Sequence, residues 1–465
     1  MTYVAQRTSN KVTGLTGTVK GKGASLCLMK AGVLLGVFLM LGYPLLPERE
    51  LLGYYVTRCL VVMLGVAMAV YVSVVSRRDE HLWQFLSKLR VYLYGYIPIV
   101  VAVMLWTTVR YNYSIENVLT SFIPYAYVFW AYPLIYIYKQ DDDPAKILKI
   151  VAILTIGILC LKAYSWYCYN YSGQVVFERL LFEYDEWYRG GNQRVNAGFL
   201  VGILLAVTMG GLFSDGKKPI WLATIVGVML YLSIVSAYRY QLLVSIAACI
   251  LALYFTSRRS GSGVLLRLAI IVAVGLLITS EFSQSFFETF TSAQSAMSQS
   301  TQVRIDNMSH YWNIVVDNGA IFGLGFISSG NSAAASYMTY FGNHIYWLED
   351  IGILGEFFRI GLLAIWTYGY FVYLAIKASS QLIKSSQNRG LVVLVLTMAV
   401  YALLSCLAMN IFDGQRAFDV PFYLSIFSYV SGLDLGKGEE QTRFNKTSKA
   451  VSSEFKRTRL LEKQI

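Results

Sequence analysis

The sequence has few charges, few histidines and no paired cysteines. Charged residues make up only 14% of its 465 residues, whereas a typical soluble domain carries about 25%. Three histidines are present, and the six cysteines form no CxxC pair and no regular framework. These deficits exclude an ordinary soluble enzyme and a disulfide-stapled secreted domain. An apolar content of 56% excludes a disordered chain.

Apolar blocks recur along the chain, and each is about 18 to 25 residues long, which is enough to cross a bilayer as a helix. We therefore predict an all-α polytopic membrane protein with about twelve transmembrane helices. The predicted spans are residues 25–46, 54–76, 91–109, 118–138, 147–163, 194–213, 219–235, 238–256, 264–280, 353–376, 389–411 and 416–434. The first block continues past signal-peptide length, so we expect it to be retained as a helix.

The segments between and beyond these spans define the remaining organisation. Residues 1–24 and 435–465 form two basic tails, and residues 164–193 form a first outer loop. The largest connection, residues 281–352, lies between the ninth and tenth spans. A connection of this length usually carries function.

The distribution of Lys and Arg predicts the orientation in the membrane. With the N-terminus in the cytoplasm, 28 of the 39 basic residues fall in or beside the tails and the even-numbered connections. The positive-inside rule then places both termini in the cytoplasm. Most of the net charge of +12 thus sets orientation beside an anionic leaflet and does not indicate a nucleic-acid partner.

The basic residues on the outer side are almost all arginines. They are Arg49, Arg58, Arg110, Lys162, Arg179, Arg189, Arg194, Arg239, Arg304, Arg359 and Arg416. Because a guanidinium binds phosphate or carboxylate with two donors and stays charged when partly dehydrated, this bias suggests recognition of an anion. The structural alternative is snorkelling at helix ends, or pairing with the carboxylates Glu183, Asp185, Glu186, Asp306 and Glu349.

Three of these arginines stand out by position. Arg194 comes where the sixth span begins, and Arg239 lies in a very tight outer turn between the seventh and eighth spans. A charge so close to hydrocarbon is costly unless it faces the bundle interior or a wet cavity. Arg304 can reach the same surface from the large loop. We predict that these arginines converge on a diphosphate headgroup and stabilise it as a leaving group.

His344 is the candidate base of the outer face. Asn343 is predicted to cap a helix that runs from His344 into the tenth span. His310 falls on the polar side of a loop helix, where a solvated side chain is expected. A lone histidine is more often structural than catalytic, so that alternative stays open for His344. No two histidines have ligand spacing and the outer carboxylates are scattered, so no metal and no cofactor is expected.

The large loop carries its own helical pattern. Residues 304–316 place Ile305, Met308, Trp312 and Val315 on one helical face. The run of small residues at 328–336 has no core-forming content, so we predict it to be the most mobile segment.

The outer loop 164–193 is rich in aromatic rings, which stack on sugars but also collect at membrane interfaces. Trp187 and Tyr188 are therefore candidates for sugar contact, as are Tyr238 beside Arg239 and Trp312 in the loop helix. A plain interfacial belt is the competing interpretation.

The order of these elements resembles the O-antigen polymerase and O-antigen ligase superfamily of integral membrane glycosyltransferases, with a GT-C-like arrangement. The motifs that carry the resemblance are Arg194-x-Asn196-Ala197-Gly198, Ser236 with Arg239, Arg304 with Trp312, Gly323-x-Gly325, Asn343-His344, Gly352-x-x-Gly355 and Gly361. The chain departs from the common pattern where Ala237 and Tyr238 separate a Ser and an Arg that are usually adjacent. It also lacks the Arg, ten residues, Gly motif of some polymerases at both Arg194 and Arg304.

The resemblance implies metal-independent glycosyl transfer at the outer face of a bacterial inner membrane. Arg194, Arg239 and Arg304 would bind the diphosphate of an undecaprenyl-diphosphate-linked glycan, and His344 would orient or deprotonate the acceptor hydroxyl. A polymerase of lipid-linked repeat units, with a chain-length regulator as a possible partner, is the first hypothesis. A ligase that transfers the glycan to lipid A core or to a protein is the second, and a flippase or other transporter is a third.

Overall fold

The computed structural model describes residues 15–45, 54–181, 188–189, 191–214, 218–257, 296–318, 321–327, 331–340, 344–385, 388–407, 409–414 and 416–433. Most of these residues are helical. The helices are α1 (Leu15–Gly42), α2 (Tyr54–Ser76), α3 (Glu80–Tyr111), α4 (Ile115–Ala126), α5 (Ala131–Asp141), α6 (Ala145–Ser172), α7 (Glu178–Leu181), α8 (Val201–Ser214), α9 (Lys218–Leu230), α10 (Arg239–Ser257), α11 (Ala296–Asn318), α12 (Ser332–Met338), α13 (Ile353–Ile360), α14 (Ala364–Ser385), α15 (Arg389–Ser405) and α16 (Val420–Gly432).

Short elements complete the described chain. A π-helical turn, Tyr231–Val235, continues α9, and 3-10 turns are found at Tyr43–Leu45, Tyr127–Trp130, Leu348–Ile351, Gly361–Leu363 and Ala417–Asp419. Two antiparallel hairpins of two-residue strands pair β1 (Tyr188–Arg189) with β2 (Asn192–Gln193), and β3 (Thr339–Tyr340) with β4 (His344–Ile345).

The all-α polytopic membrane class predicted from hydropathy is confirmed, whereas the count of about twelve spans stays a prediction. Eight helical stretches of the described chain are long and apolar enough to cross a membrane, and α8 and α15 are shorter apolar helices. The chain is thus an all-α polytopic membrane protein. The predicted ninth span, residues 264–280, lies outside the described residues.

Contacts among helix ends and connecting segments show that these segments lie on two faces of the bundle. On one face Lys30 pairs with Asp141 at 2.8 Å, and Lys139 pairs with Asp79 at 2.6 Å. We call this the lysine face. Asp79 also caps α3 by accepting from the backbone N–H of Leu82 at 3.0 Å. Burial opposes ionisation of the Asp79 carboxyl, but the bonds from Lys139 and Leu82 together leave its pKa below the ordinary value.

The opposite face joins the start of α2, the end of α3, the large loop and the connection from α15 to α16. Tyr111 donates to the carbonyl of Leu324 at 2.8 Å, and Tyr113 donates to that of Phe326 at 2.9 Å. The guanidinium of Arg58 donates to the carbonyl of Gly414. Since the outer arginines of the sequence collect here, we call this the arginine face.

Trp130 is a packing centre of the apolar core. Its indole is fully buried and donates to the carbonyl of Val61 at 3.1 Å. Gly36 of α1 and Gly65 of α2 lie so close to the ring that a Cβ on either would overlap it. Two helices can approach Trp130 this closely only because they lack side chains at these positions.

Gly65→Ala is therefore expected to destabilise the protein by about 1–3 kcal/mol through overpacking against the indole. Gly157→Ala is the matched control, because a Cβ at this helical glycine meets nothing within 4 Å. The control should be neutral or gain up to about 1 kcal/mol from helix propensity. Thermal unfolding in detergent measures both variants, and equal melting temperatures would contradict this packing.

A second, smaller apolar cluster anchors the large loop to the bundle. It combines Tyr111 and Tyr113 of the α3 end with Tyr311, Val315, Leu324, Ile327, Ala334, Met338, Tyr346, Leu348, Ile351 and Phe358. The prediction of a mobile run at 328–336 is wrong for its second half, because Ser332–Met338 forms α12. Ala334 is fully buried in the cluster, where a small residue allows close helix approach.

The loop helix predicted at 304–316 is confirmed as part of α11, and Ile305, Met308, Trp312 and Val315 share one side of it as predicted. Asn307, Tyr311 and Val315 face the protein, whereas Ile305, Met308 and Trp312 are exposed. Hydropathy alone finds the apolar side of a helix, and it does not tell which surface covers that side.

The helix predicted to start at His344 is also wrong. His344 pairs with Tyr340 in the β3–β4 hairpin, and Tyr346 then donates its N–H to the carbonyl of Met338 at 2.9 Å. Helical structure starts only at Leu348, as a 3-10 turn, before α13. The hairpin satisfies backbone groups that a helix cap at Asn343 would otherwise have used.

Candidate functional site

A broken membrane helix organises the arginine face. α13 ends at Gly361, where a left-handed φ of +66° interrupts the helix before α14. The carbonyls freed at the break accept hydrogen bonds from the large loop: Leu324 donates to Phe358 at 2.8 Å and Gly325 donates to Arg359 at 2.7 Å. A Cβ at Gly323 would collide with this backbone. The Gly323-x-Gly325 motif thus docks the loop onto a helix break.

A buried carboxylate cluster lies directly below this break. Glu356 is fully buried and accepts from the hydroxyl of Tyr125 at 3.0 Å and from the amide of Asn410 at 2.7 Å. Arg359 lies 3.6 Å from Glu356 and bonds Glu349 at 2.5 Å. Glu349 has a second oxygen, Oε2, that is buried and lacks a partner among the described residues.

The connection between α15 and α16 links this cluster to the rest of the face. The side-chain oxygen of Asn410 accepts from Tyr368 at 2.8 Å and from the backbone of Phe412 at 2.9 Å. Further along, Asp413 is buried and pairs with Arg416. The connection is therefore a folded polar insert and not a solvated loop.

Arg194 is buried against the turn that contains Arg239. Its Nε donates to the carbonyl of Ser236 at 3.0 Å, and its Nη2 donates to that of Ala237 at 3.5 Å. Ala237 has a left-handed φ of +47°. The structure thus brings together the Arg194 segment and the Arg239 turn, and Arg239 is half-buried at the first residue of α10.

The prediction that Arg194 begins a helix is wrong. Residues 194–200 are irregular, and α8 starts only at Val201. Gly198 and Leu200 adopt left-handed φ values of +77° and +69°, which prevent an earlier start. The carboxylate of Asp419 accepts the N–H of Leu200 at 2.7 Å and so satisfies a donor at the head of α8.

Lys162 of α6 adds a buried cation beside this segment. Its ammonium donates to the carbonyl of Asn196 at 2.9 Å, and it lies where a Cβ on Gly198 would make close contact. The hydroxyl of Tyr231 donates to the carbonyl of Val195 at 3.3 Å. We call Lys162, Arg194 and Arg239 the basic cluster.

A small enclosed cavity of about 30 Å³ lies between the 196–198 segment, α10, α15 and α16. That volume accommodates about two water molecules. Gln241, Tyr401, Arg416 and Asp419 contribute polar walls. The hydroxyl of Tyr423, also in the wall, is buried without a partner in the described chain.

A much larger apolar groove of about 680 Å³ lies between α6, α8 and α9. Its walls include Ile156, Leu159, Cys160, Ala163, Trp166, Tyr167, Leu204, Ile220, Ala223, Thr224, Gly227, Val228, Leu230, Tyr231, Ile234 and Val235. Ala163 follows Lys162 in α6, and Val235 precedes the turn bound by Arg194. Two groove-lining residues are thus chain neighbours of Lys162 and of the turn bound by Arg194.

The other two predicted catalytic and phosphate-binding residues, Arg304 and His344, belong to the large loop. Arg304 is half-buried on α11, and within the described chain it has no hydrogen bond or ion pair; α11 packs against α13 and the 348–351 turn. No described contact joins Arg304 to Arg194 or Arg239. The backbone of His344 lies in β4, but its side chain is not among those described.

The predicted sugar-contacting residues are scattered over the arginine face. Tyr188 is exposed and its hydroxyl lies 2.6 Å from that of Tyr169. Tyr238 is half-buried in the Arg239 turn, and Trp312 is exposed on α11. Trp187 lies outside the described residues.

The expectation of a solvated His310 is wrong. Its Nε2 lies 2.8 Å from the carbonyl of Tyr337, and its ring packs on Tyr311 and Tyr346. Burial raises the pKa of Tyr311, so its phenol stays protonated and donates to the carbonyl of Tyr346 at 2.6 Å. Both residues hold the α11 helix on the β3–β4 hairpin.

Sequence analysis missed the acidic half of this face. Hydropathy absorbed Glu356 into one apolar span and Asn410 into the next, and it left only residues 412–415 as a connection. The available signal was a Glu and an Arg three residues apart inside an apolar helix, since such charges are rarely tolerated without partners.

No family model matches the sequence of this chain, and no curated protein matches it either.

Proposed function

We propose that this protein is a polymerase of lipid-linked oligosaccharide repeat units, of the kind that builds O-antigen, capsule or exopolysaccharide. It transfers the growing glycan from undecaprenyl diphosphate to the next lipid-linked repeat at the outer face of the cytoplasmic membrane. The acceptor hydroxyl attacks the anomeric carbon, the bond to the diphosphate breaks, and undecaprenyl diphosphate leaves. The proposal includes no metal and no cofactor.

One observation carries the proposal: the wall of an apolar groove between membrane helices includes Ala163, next to the buried Lys162, and Val235, next to the turn that the buried Arg194 binds. A donor of this class has a long hydrocarbon tail joined to a diphosphate, so it requires both surfaces in this order. The groove of about 680 Å³ suits the tail, and Lys162, Arg194 and Arg239 suit the diphosphate. Arginine forks bind such oxygens with two donors.

The large loop would complete the site. Arg304 has no partner in the described chain, so its guanidinium is available to a phosphate. His344 would orient or deprotonate the acceptor hydroxyl, a role that stems from the resemblance to the superfamily. Tyr188, Tyr238, Trp187 and Trp312 are candidates to stack on sugar rings.

A ligase that uses the same donor is the second candidate. It shares the groove and the basic cluster, and it differs in the acceptor. A transporter fits less well, because its charged residues would be expected along a path through the bundle, whereas here they gather at one face.

Deletion of the gene in its own host, followed by analysis of surface glycan length, separates these functions. Loss of a polymerase leaves single repeat units on the acceptor, whereas loss of a ligase leaves none. Complementation with His344→Ala and Arg304→Lys then tests the proposed site, and normal chain length with both variants would contradict it.

Gly227→Phe tests the groove. A Cβ at Gly227 meets nothing within 4 Å, so the new ring should occupy the groove without disturbing the helices. We expect the KM for the lipid-linked donor to rise at least about tenfold, since about 1.4 kcal/mol of tail contact is lost. Gly369→Phe is the control, because Gly369 borders a different open groove on α14. Equal donor kinetics of the two variants would contradict the groove assignment.

A further inference from the structure

The α11 helix of the large loop exposes an apolar stripe. Ile305, Met308, Trp312 and Val316 are 49%, 37%, 54% and 61% exposed. Their spacing of three and four residues places them on one side of the helix. Four large apolar side chains on one side are unusual for a helix that is simply surrounded by water.

The other two sides of α11 have different characters. Asn307, Tyr311 and Val315 are buried against the protein. Gln302, Asp306, Ser309, Asn313 and Asp317 are exposed and polar. The helix thus has a protein side, a polar side and an apolar side. This division suits a helix that lies flat at a bilayer surface, where one side meets acyl chains and another meets water.

The apolar stripe is continuous with a membrane-spanning helix. The indole of Trp312 stacks on the ring of Phe357 in α13, with 6.4 Å between the centroids. α13 opens the candidate span Ile353–Lys384. The same span exposes Leu362 and Ile365 to its surroundings. The apolar stripe therefore contacts a membrane-spanning stretch through the Trp312 ring.

We propose that α11 is an interfacial helix and that its apolar side inserts into the bilayer. This side is formed by Ile305, Met308, Trp312 and Val316. The partner is the lipid bilayer itself, and the inference does not depend on glycosyl transfer. Tryptophan is a preferred residue at this depth. The large loop is then held on the membrane surface by its own side chains and not only by the second cluster.

Quenching of Trp312 fluorescence tests the placement. The full-length protein and its Trp312→Phe variant are reconstituted in vesicles of phosphatidylethanolamine and phosphatidylglycerol, and the difference between their spectra reports Trp312. We expect lipids brominated near the headgroup end of the acyl chain to reduce this signal by more than about twofold. Aqueous iodide should leave it nearly unchanged.

A control variant separates the bilayer from other environments. Asn313→Trp in the Trp312→Phe background moves the indole to the polar side of the same helix, where we expect quenching by iodide and not by brominated lipid. Quenching of the native Trp312 by iodide would overturn the proposal. Protection of Trp312 from both quenchers would also overturn it, because a protein partner or a second copy would then cover the stripe.

Discussion

Arg359→Met is expected to destabilise the protein by about 3–5 kcal/mol, the cost of leaving a buried charge without its partner. The loss is large because Arg359 serves two carboxylates, Glu349 at 2.5 Å and the fully buried Glu356 at 3.6 Å. Unfolding in detergent, induced by heat or by denaturant, measures the effect. Arg77→Met, at an exposed turn of the lysine face, should change stability little.

Glu356→Gln should cost much less, about 1–2 kcal/mol. The amide keeps an acceptor for Tyr125, and Arg359 keeps its bond to Glu349. The double variant Glu356→Gln with Arg359→Met should recover part of the loss, since only one carboxylate then remains without a cation. If Glu356→Gln proved as damaging as Arg359→Met, the assignment of Arg359 as the shared partner would be wrong.

Arg239→Ala is expected to reduce the rate of glycan transfer by about 10²–10³-fold, the usual cost of removing one donor that stabilises charge in a transition state. Arg239 begins α10 at the turn that Arg194 binds, half-buried beside Tyr238. Arg239→Lys keeps a charge but loses the planar fork, so an intermediate rate is expected. The readout is the rate of formation of glycans longer than one repeat from a lipid-linked donor.

Two controls isolate this effect from folding. Arg77→Ala removes a cation from the lysine face and should leave the rate unchanged. The melting temperature of Arg239→Ala should stay close to that of the native protein. A native rate for a well-folded Arg239→Ala protein would remove Arg239 from the site.

Hydropathy predicted the membrane helices because a helix that spans a lipid bilayer requires a long apolar run. No other feature of this chain produces such runs. Hydropathy failed at the helix ends. Arg194 was placed at the head of a helix that begins seven residues later, because the left-handed φ of Gly198 and Leu200 leaves no mark in hydropathy. His344 was placed in a helix for a similar reason: a hairpin of two residue pairs is too short to produce an alternating pattern.

The candidate site was predictable only in part. Sequence assigned the Arg194 segment and the Arg239 turn to one side of the membrane, and in the structure Arg194 contacts that turn through the carbonyls of Ser236 and Ala237. The bonds of Glu349 to Arg359 and of Asn410 to Glu356 could not be predicted, because they join separate segments of the chain. The groove could not be predicted from the sequence either. Its walls are apolar residues of three helices, and such residues have the same pattern as lipid-facing residues.

Reconstitution of transfer in vitro tests the central claim most directly. The purified protein is inserted in vesicles with an undecaprenyl-diphosphate-linked repeat unit, with EDTA present, and the lipid-linked products are separated by size. We predict products of two and more repeats, together with free undecaprenyl diphosphate in matching amount. If only the single-repeat substrate remains, while the protein keeps its native melting temperature and binds the lipid, the protein is not a polymerase.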